Sequence, residues 1–304
     1  MQARKNGNAQ GIDVSHWQGT IDWKKVAGSG ITFAFIKATQ NGVDSKFLEN
    51  VKGAKAAGIL VGAYHFLDNS VVTEGAAKAA AKVFYKALLS ADGVEVFDLP
   101  PVLDYESKAS GVSTATATAI AKAFLEEIKS LTGVTPILYT YPAFISNFSG
   151  LSNYPLWIAR YSIQAPADAS GWKRWDFWQY SDGSAGGTLP GGGRSVNGIS
   201  GHVDLNEYSG SAEDLKKRFS KTKEDDKVAE RDINKVSGWA EATWNEAVAN
   251  GYFDGTRPGA AITREEVAAV VNRLRGNFLK LVAGATADIQ ELEKRMAAIE
   301  KGEK

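Results

Sequence analysis

The sequence predicts an α/β protein built on an irregular (β/α) TIM-like barrel, with a small all-α C-terminal module and a terminal helix. Three observations carry this. Eight short apolar runs of strand length recur through the first two-thirds of the chain. Helix-forming stretches lie between several of them, as parallel strands joined by crossovers require. The last runs lack clear intervening helices, so the final third of the barrel is expected to close through loops or hairpins.

The strand runs are residues 11–15, 32–38, 60–66, 101–106, 136–140, 156–161, 176–180 and 202–208. Helices are expected over 46–57, 73–90 and 113–132, and the Ala-rich 76–89 stretch is a strong helix former. Polar residues recur at the ends of the strand runs: Asp13, Lys37, His65, Asp104 with Glu106, Tyr139, Arg160, Gln179 and Asp204. Active sites of such barrels lie at the C-terminal strand ends, so these distant segments would converge on one mouth.

Residues 101–106 are the most informative stretch. An apolar run ends in Asp104 and Glu106, spaced i, i+2. Along a strand both would project from one face, with Cα atoms about 6.6 Å apart. Two solvated acids at a strand end would look the same. Paired acids in different environments are also how glycosidases divide acid and base work.

Composition removes several classes. Lys and Arg total 35, equal to Asp and Glu, so nothing supports nucleic-acid steering. The absence of Cys excludes disulfides, thiolate catalysis and Cys-zinc sites. His16, His65 and His202 are too dispersed to name a metal site, and no metal or cofactor is expected. No stretch approaches the roughly 18 apolar residues of a membrane helix. Residues 1–10 are polar, with no apolar h-region behind Arg4 and Lys5, so no secretory signal is expected.

Three regions are expected: a barrel over 1–218, a charged linker over 219–232 and a helical module over 233–304. The Gly/Ser-rich segment 181–200, with Gly191, Gly192 and Gly193, reads as a hairpin tip rather than a phosphate loop. In the module, Trp239, Trp244, Val248 and Tyr252 form a stripe at helical spacing, and Gly251 is placed to cap it. Thr263 and Glu266 have the spacing of a capping box for the next helix. A further helix carries Phe278, Val282, Ala285, Ile289, Leu292, Met296 and Ile299 in 4-3 alternation. That is the a/d pattern of a coiled coil, and equally a stripe that would pack on the neighbouring module.

The first 210 residues resemble glycoside hydrolase family 25, the Chalaropsis-type lysozymes. The resemblance is carried by GIDVSHWQG at 11–19, FAFIKAT at 33–39, GAYHF at 62–66, PVLDYE at 101–106, LWIARY at 156–161, WQY at 178–180 and VDLN at 203–206. It implies an irregular barrel and N-acetylmuramidase action on the β-1,4 bond between N-acetylmuramic acid and N-acetylglucosamine. Glu106 matches the family's general acid, and Asp104, Asp13 and Asp204 match its other acidic site residues. Because Asp104 and Glu106 share a face, a nucleophile opposite the acid is not obvious. Assistance by the substrate's acetamido group, oriented by Asp104, is therefore expected. Asp13 and Asp204 would tune pKa values or hold water, and like-charge repulsion among the acids would raise that of Glu106.

Tyr64, Tyr139, Trp157 and Trp178 are expected as site walls, with core packing as the alternative for each. Lys37 and Gln179 are assigned to substrate binding, although each is also placed to hold a site carboxylate. His16 and His65 read as strand-end hydrogen-bonding residues, and Arg160 as a structural partner of the acids.

Residues 237–274 resemble an S-layer homology motif through Trp239, Gly251, Gly255 and ITRE at 262–265, in one copy rather than the usual three. The partners implied are bacterial peptidoglycan, a cell-wall polymer through the C-terminal module, and a second copy of the chain through the terminal helix. A barrel of this kind with a wall-binding tail and no signal peptide resembles phage endolysins, made in the host cytoplasm and acting at the wall. The competing readings are a non-catalytic wall or S-layer-associated binding protein and a chitinase-like hydrolase.

Overall fold

The computed structural model describes residues 1–184, 194–219, 234–236, 241–258 and 264–300. The chain divides into two compact units, Met1–Thr222 and Lys223–Lys304.

The first unit is a closed eight-stranded barrel. Its strands are β1 (Gln10–Val14), β2 (Phe33–Thr39), β3 (Leu60–Phe66), β4 (Val102–Asp104), β5 (Ile137–Thr140), β6 (Leu156–Ala159), β7 (Phe177–Ser181) and β8 (Asp204–Tyr208). Each of β1 to β6 pairs in parallel with the next. Strand β8 runs antiparallel to both β7 and β1 and closes the barrel as a hairpin.

Helices α1 (Trp23–Gly28), α2 (Phe47–Ala56), α3 (Glu74–Ser90) and α4 (Thr114–Thr132) form the outer layer. The long ones start and stop on local signals. Thr73 and Ser113 cap α3 and α4 through their hydroxyls, and Gly133 ends α4 in a left-handed conformation. Ala117, Ile120, Ala121, Phe124, Leu125 and Ile128 recur at helical spacing and make the buried face of α4. Helix α5 (Ala212–Phe219) lies where the sequence suggested charged chain leading into a linker. Leu215 is buried, Arg218 pairs with buried Asp176 at 2.7 Å and the Phe219 ring stacks 6.0 Å from Phe177, so this turn belongs to the barrel unit. The rest of the expected linker, 220–232, lies outside the described residues, as do Gly191, Gly192, Gly193, Trp239 and Thr263.

Two apolar layers sit on opposite faces of the sheet. One fills the space between strands and helices. The other is the barrel interior, where Phe35 stacks on Trp157 at 4.4 Å and meets Phe177 edge-on at 5.0 Å. Gly11 and Gly62 make this interior possible. A Cβ at Gly11 would come within 2.3 Å of the Phe33 ring, and one at Gly62 within 2.5 Å of the Phe35 ring. The outer face of the β7–β8 hairpin is held by the N-terminal segment instead. Arg4 lies 3.5 Å over the Tyr180 ring and donates to Glu207 at 2.7 Å, while Asn8 donates to the other Glu207 oxygen. Glu207 is buried, and these donors offset the cost of burying its charge.

The second unit contains α6 (Glu241–Ala249) and α7 (Arg264–Glu300). The sequence suggested two helices over the latter span, and they form one continuous helix. Trp244 stacks on Phe253 at 5.1 Å, and Arg273 and Asn277 of α7 donate to the carbonyls of Tyr252 and Asn250. No helix among the described residues is long and apolar enough to cross a membrane.

Substituting Gly62→Ala is expected to destabilise the barrel by about 1–3 kcal/mol through overpacking against Phe35. Thermal unfolding measures this; an unchanged melting temperature would contradict the packing described.

Candidate active site

The period of two along each strand selects which side chains face inward. Asp13 on β1, Lys37 on β2, Tyr64 on β3, Asp104 on β4, Tyr139 on β5, Trp157 on β6 and Gln179 on β7 share the inward parity of Phe35 and Phe177. In the parallel strands the polar members fall at the C-terminal ends. Asp204 reaches the same mouth by the opposite route. It is the first residue of β8, and antiparallel pairing sets it directly across from Asp13. The expectation that Asp204 ends a strand is thus corrected.

Asp13 is the most heavily braced carboxylate. Its Oδ2 accepts from Gln179 Nε2 at 2.8 Å and from Asn206 Nδ2 at 2.7 Å. Both donors are themselves fixed. Gln179 Oε1 accepts from the hydroxyls of Tyr139 at 2.9 Å and Tyr161 at 3.2 Å, and Asn206 Oδ1 accepts from Trp157 Nε1 at 2.8 Å. These bonds determine which way each amide points.

Asp204 completes the cluster with a side-chain hydrogen bond to Asp13. Burial, then the Asp13 charge, push the Asp204 carboxyl up to about 9. Burial raises Asp13 too, but its hydrogen bonds from Asn206 and Gln179 oppose the shift. The bond between them acts in opposite directions, raising Asp204 and lowering Asp13, so Asp204 is the member of the pair that keeps the proton.

Strand β4 ends at Asp104, two residues short of the expected run, but the alternation continues past it. The Tyr105 N–H still bonds the Tyr139 carbonyl, and the Tyr105 ring packs outward on Phe144 and Phe148. Glu106 consequently follows Asp104 on the inner side. Asp104 is buried, and its Oδ1 has no hydrogen-bond partner among the described residues. Burial, then the charges of Glu106 and Asp13, hold its pKa well above the carboxylate range. Glu106 is less buried and its pKa is raised chiefly by desolvation, then by Asp13. Repulsion among acids, the expected cause, is thus secondary. The Lys37 charge lowers both groups.

Other expected residues sit elsewhere. Trp157 is enclosed between Phe35 and Tyr139, so it supports the site through Asn206 and offers no face at the mouth. Trp178 has outward parity and donates to the Arg160 carbonyl. Arg160 donates to the Ala165 carbonyl rather than to an acid. Lys37 donates to Gln40 at 2.9 Å and lies 4.8 Å over the Phe66 ring, acting on the acids through its field. His65 points outward among Phe84 and Phe124, bonds Thr39 and is held neutral, with its pKa lowered to about 3 by burial. His16 bonds Asp44 at 2.6 Å. Tyr64 and Tyr139 face the acids, and burial followed by the carboxylate charges drives both hydroxyls well above 10.

Three residues escaped the sequence reading. Asn206 stands two residues from Asp204, a spacing that β-parity alone would have flagged. Tyr161 lies beyond β6 and reaches Gln179 from a loop. Trp17 is 80% exposed on the short turn after β1, where a capping box between Ser15 and Gln18 fixes the backbone and the ring leans on His16 at 4.7 Å. Beside it, a cavity of about 390 Å³ is lined by His16, Lys37, Gln40 and Asp44. No group of three or more His, Cys, Asp or Glu side chains among the described residues is arranged to hold a metal ion.

Comparison with known proteins agrees with this geometry. The profile described as glycosyl hydrolases family 25 matches residues 12–188. Lysozyme M1 of Streptomyces globisporus is 37% identical over 67% of this chain and 68% of its own length. The N,O-diacetylmuramidase of Chalaropsis sp is 33% identical over 64% of this chain and 95% of its own. The crystal structure of a bacterial lysozyme from Streptomyces coelicolor matches with a TM-score of 0.61 at 33% identity, covering 71% of this chain and 98% of that one.

The Asp204 shift has a consequence for stability. An unfolded Asp titrates near 3.8, the folded one near 9. Between those values the folded state keeps a proton that the unfolded state has released, so raising pH across this window favours unfolding. Asp204→Asn keeps a donor to Asp13 and removes the titration. The melting temperature of the wild type is expected to fall relative to that variant as pH rises from about 5 to about 9. Parallel curves would refute the assignment of the proton to Asp204.

Proposed function

The chain belongs to glycosyl hydrolases family 25 and is a muramidase, and on that basis we propose how its site cleaves the β-1,4 bond between N-acetylmuramic acid and N-acetylglucosamine. The observation that carries the mechanism is the buried Oδ1 of Asp104 beside Glu106, which has no hydrogen-bond partner among the described residues. A buried acceptor without a donor costs about 1–3 kcal/mol. A 2-acetamido N–H supplied by the substrate would remove that cost and favour the Asp104 anion.

Before substrate arrives, Asp104, the more buried and the more strongly raised of the two, would keep the proton. When the acetamido group binds, that proton belongs on Glu106, the more accessible of the two. Glu106 then protonates the leaving oxygen as the acetamido oxygen bonds to the anomeric carbon and the glycosidic bond breaks. The N–H is held by ionised Asp104. Water next opens the cyclic intermediate, giving its proton to Glu106, and the product keeps the starting configuration. Asp13, charged and fixed by Gln179 and Asn206, supports the positive charge that develops at the anomeric carbon. The exposed Trp17 ring offers a flat apolar face to a neighbouring sugar.

For the second unit we propose retention on the bacterial wall. A cavity of about 390 Å³ is lined by the Trp244, Tyr252 and Phe253 rings, with Arg257 and Arg273 beside Asp254 and Glu266, a mix of aromatic faces and polar groups of both signs suited to the sugars of a wall polymer. Its long helix supplies a self-association face. Together the two units suit an endolysin that acts on the wall of its host.

Glu106→Gln is expected to lower turnover of purified peptidoglycan by about 10²–10⁴-fold with an unchanged melting temperature. Asp104→Asn removes the anion and should lower kcat with little change in KM. NMR of the first product formed from a defined oligosaccharide tests the chemistry; immediate inversion would overturn substrate assistance. In a Glu106→Gln background, Trp244→Ala should release the protein from sedimented walls if the second cavity holds the polymer, and full retention would count against it.

A further inference from the structure

Helix α7 presents a problem that its own unit does not solve. Its N-terminal half is held by the α6 turn, and the last of these bonds is Asn277 to the Asn250 carbonyl. From Phe278 onward the helix continues for about 34 Å at 1.5 Å per residue. Over that length Val282, Ile289, Leu292, Met296 and Ile299 are all exposed, at 46% to 75%. Most helical stability in proteins comes from packing an apolar face rather than from propensity, and here a stripe of large apolar residues is left in water at a cost in hydration.

Building on the reading of α7 as a self-association face, we infer that residues 282–299 pair with the same segment of a second copy in antiparallel orientation. Three features select this partner and this direction. The apolar residues keep strict heptad spacing, with Val282, Ile289 and Met296 at a and Ala285, Leu292 and Ile299 at d. Antiparallel alignment about the centre of the segment gives three layers, each made twice: Val282 with Ile299, Ala285 with Met296, and Ile289 with Leu292. Every layer pairs an a residue with a d residue, and the smallest side chain meets the longest. A parallel pair would set Ala285 against Ala285 and leave a void.

The flanking charges point the same way. Asp288 and Arg295 both occupy g positions. Antiparallel helices bring g against g, so Asp288 meets Arg295 of the other copy at both ends of the seam. Parallel helices would instead face Asp288 with Glu293 at e, a like-charge contact. Opposed helices also leave the two copies' preceding chains at opposite ends of a seam about 27 Å long.

The charge argument makes a test in which the two orientations answer with opposite sign. Sedimentation or light scattering on the full chain, across a range of concentrations, is expected to show a monomer–dimer equilibrium. Asp288→Arg should weaken the dimer by about tenfold in the antiparallel arrangement, because the introduced guanidinium then faces Arg295 of the other copy at both contacts. The parallel arrangement would be strengthened by the same change, since that guanidinium would face Glu293. Adding Arg295→Asp to the first substitution should restore the antiparallel dimer. Because the chain has no cysteine, disulfide trapping is clean. Mixed Asp288→Cys and Arg295→Cys chains should cross-link to each other and not each to itself. A chain that stays monomeric, a trimer, or a dimer tightened by Asp288→Arg would each overturn the inference. Turnover of soluble peptidoglycan fragments should be unchanged throughout, which separates failure here from failure of the muramidase assignment.

Discussion

Barrel closure through an antiparallel strand is the constraint on which the site depends. Seven strands run one way and deliver their C-terminal residues to one mouth. The eighth runs back and delivers its N-terminal residue instead, so Asp204 is set opposite Asp13 by backbone pairing. Two positions on, the same strand places Asn206 inward, where its amide bridges Trp157 and Asp13. The result is a carboxylate held on both sides, from β7 by Gln179 and from β8 by Asn206. A crossover helix would have reversed β8 and removed both Asp204 and the donor pattern from the mouth. The hairpin leaves one side of the barrel without a helix, and the Arg4–Glu207 pair ties the N-terminal segment over it.

The aromatic interior does more than fill space. Phe33, Phe35, Trp157 and Phe177 form a dry floor beneath the acids. Desolvation is the first cause of the raised pKa of all four carboxylates. The packing that stabilises the fold therefore also sets the protonation states. Gly11 and Gly62 belong to the same device, because the rings that dry the site occupy the volume a side chain would need there. Asp104 shows the cost: its buried Oδ1 has no donor among the described residues, which is unfavourable for folding.

Periodicity explains how much of this was legible in the sequence. Strand parity is a local property, so the shared face of Asp104 and Glu106, and the inward direction of Asp13 and Gln179, follow from spacing alone. Strand direction is not local. Nothing within 202–208 says that the strand runs backward, and Asp204 was therefore assigned to the wrong end of it. Trp157 failed for a related reason. Its position next to the mouth is readable, but its enclosure depends on Phe35 from another strand and Asn206 from a third. Short α1 and charge-dense α5 lack the long apolar stripe that marked α3 and α4. Leu215 and Phe219 are its apolar anchors, too few to register as a helical face, and Arg218 adds an ion pair to buried Asp176.

The arrangement also bears on why two adjacent acids would not serve as a simple acid and nucleophile. Asp104 and Glu106 approach from one side of any sugar between them, and a nucleophile must attack opposite the leaving group. Asp13 has its Oδ2 committed to two amides, and Asp204 carries a proton, so neither is a free nucleophile. The remaining electron pair in reach is one that the substrate would bring. Asp104 has the property such a reaction needs: its proton affinity depends on whether its free oxygen receives a donor. In the proposed reaction, substrate contact and placement of the proton on Glu106 would become one event, and water, which lacks the acetamido group's fixed geometry, would engage the pair less effectively.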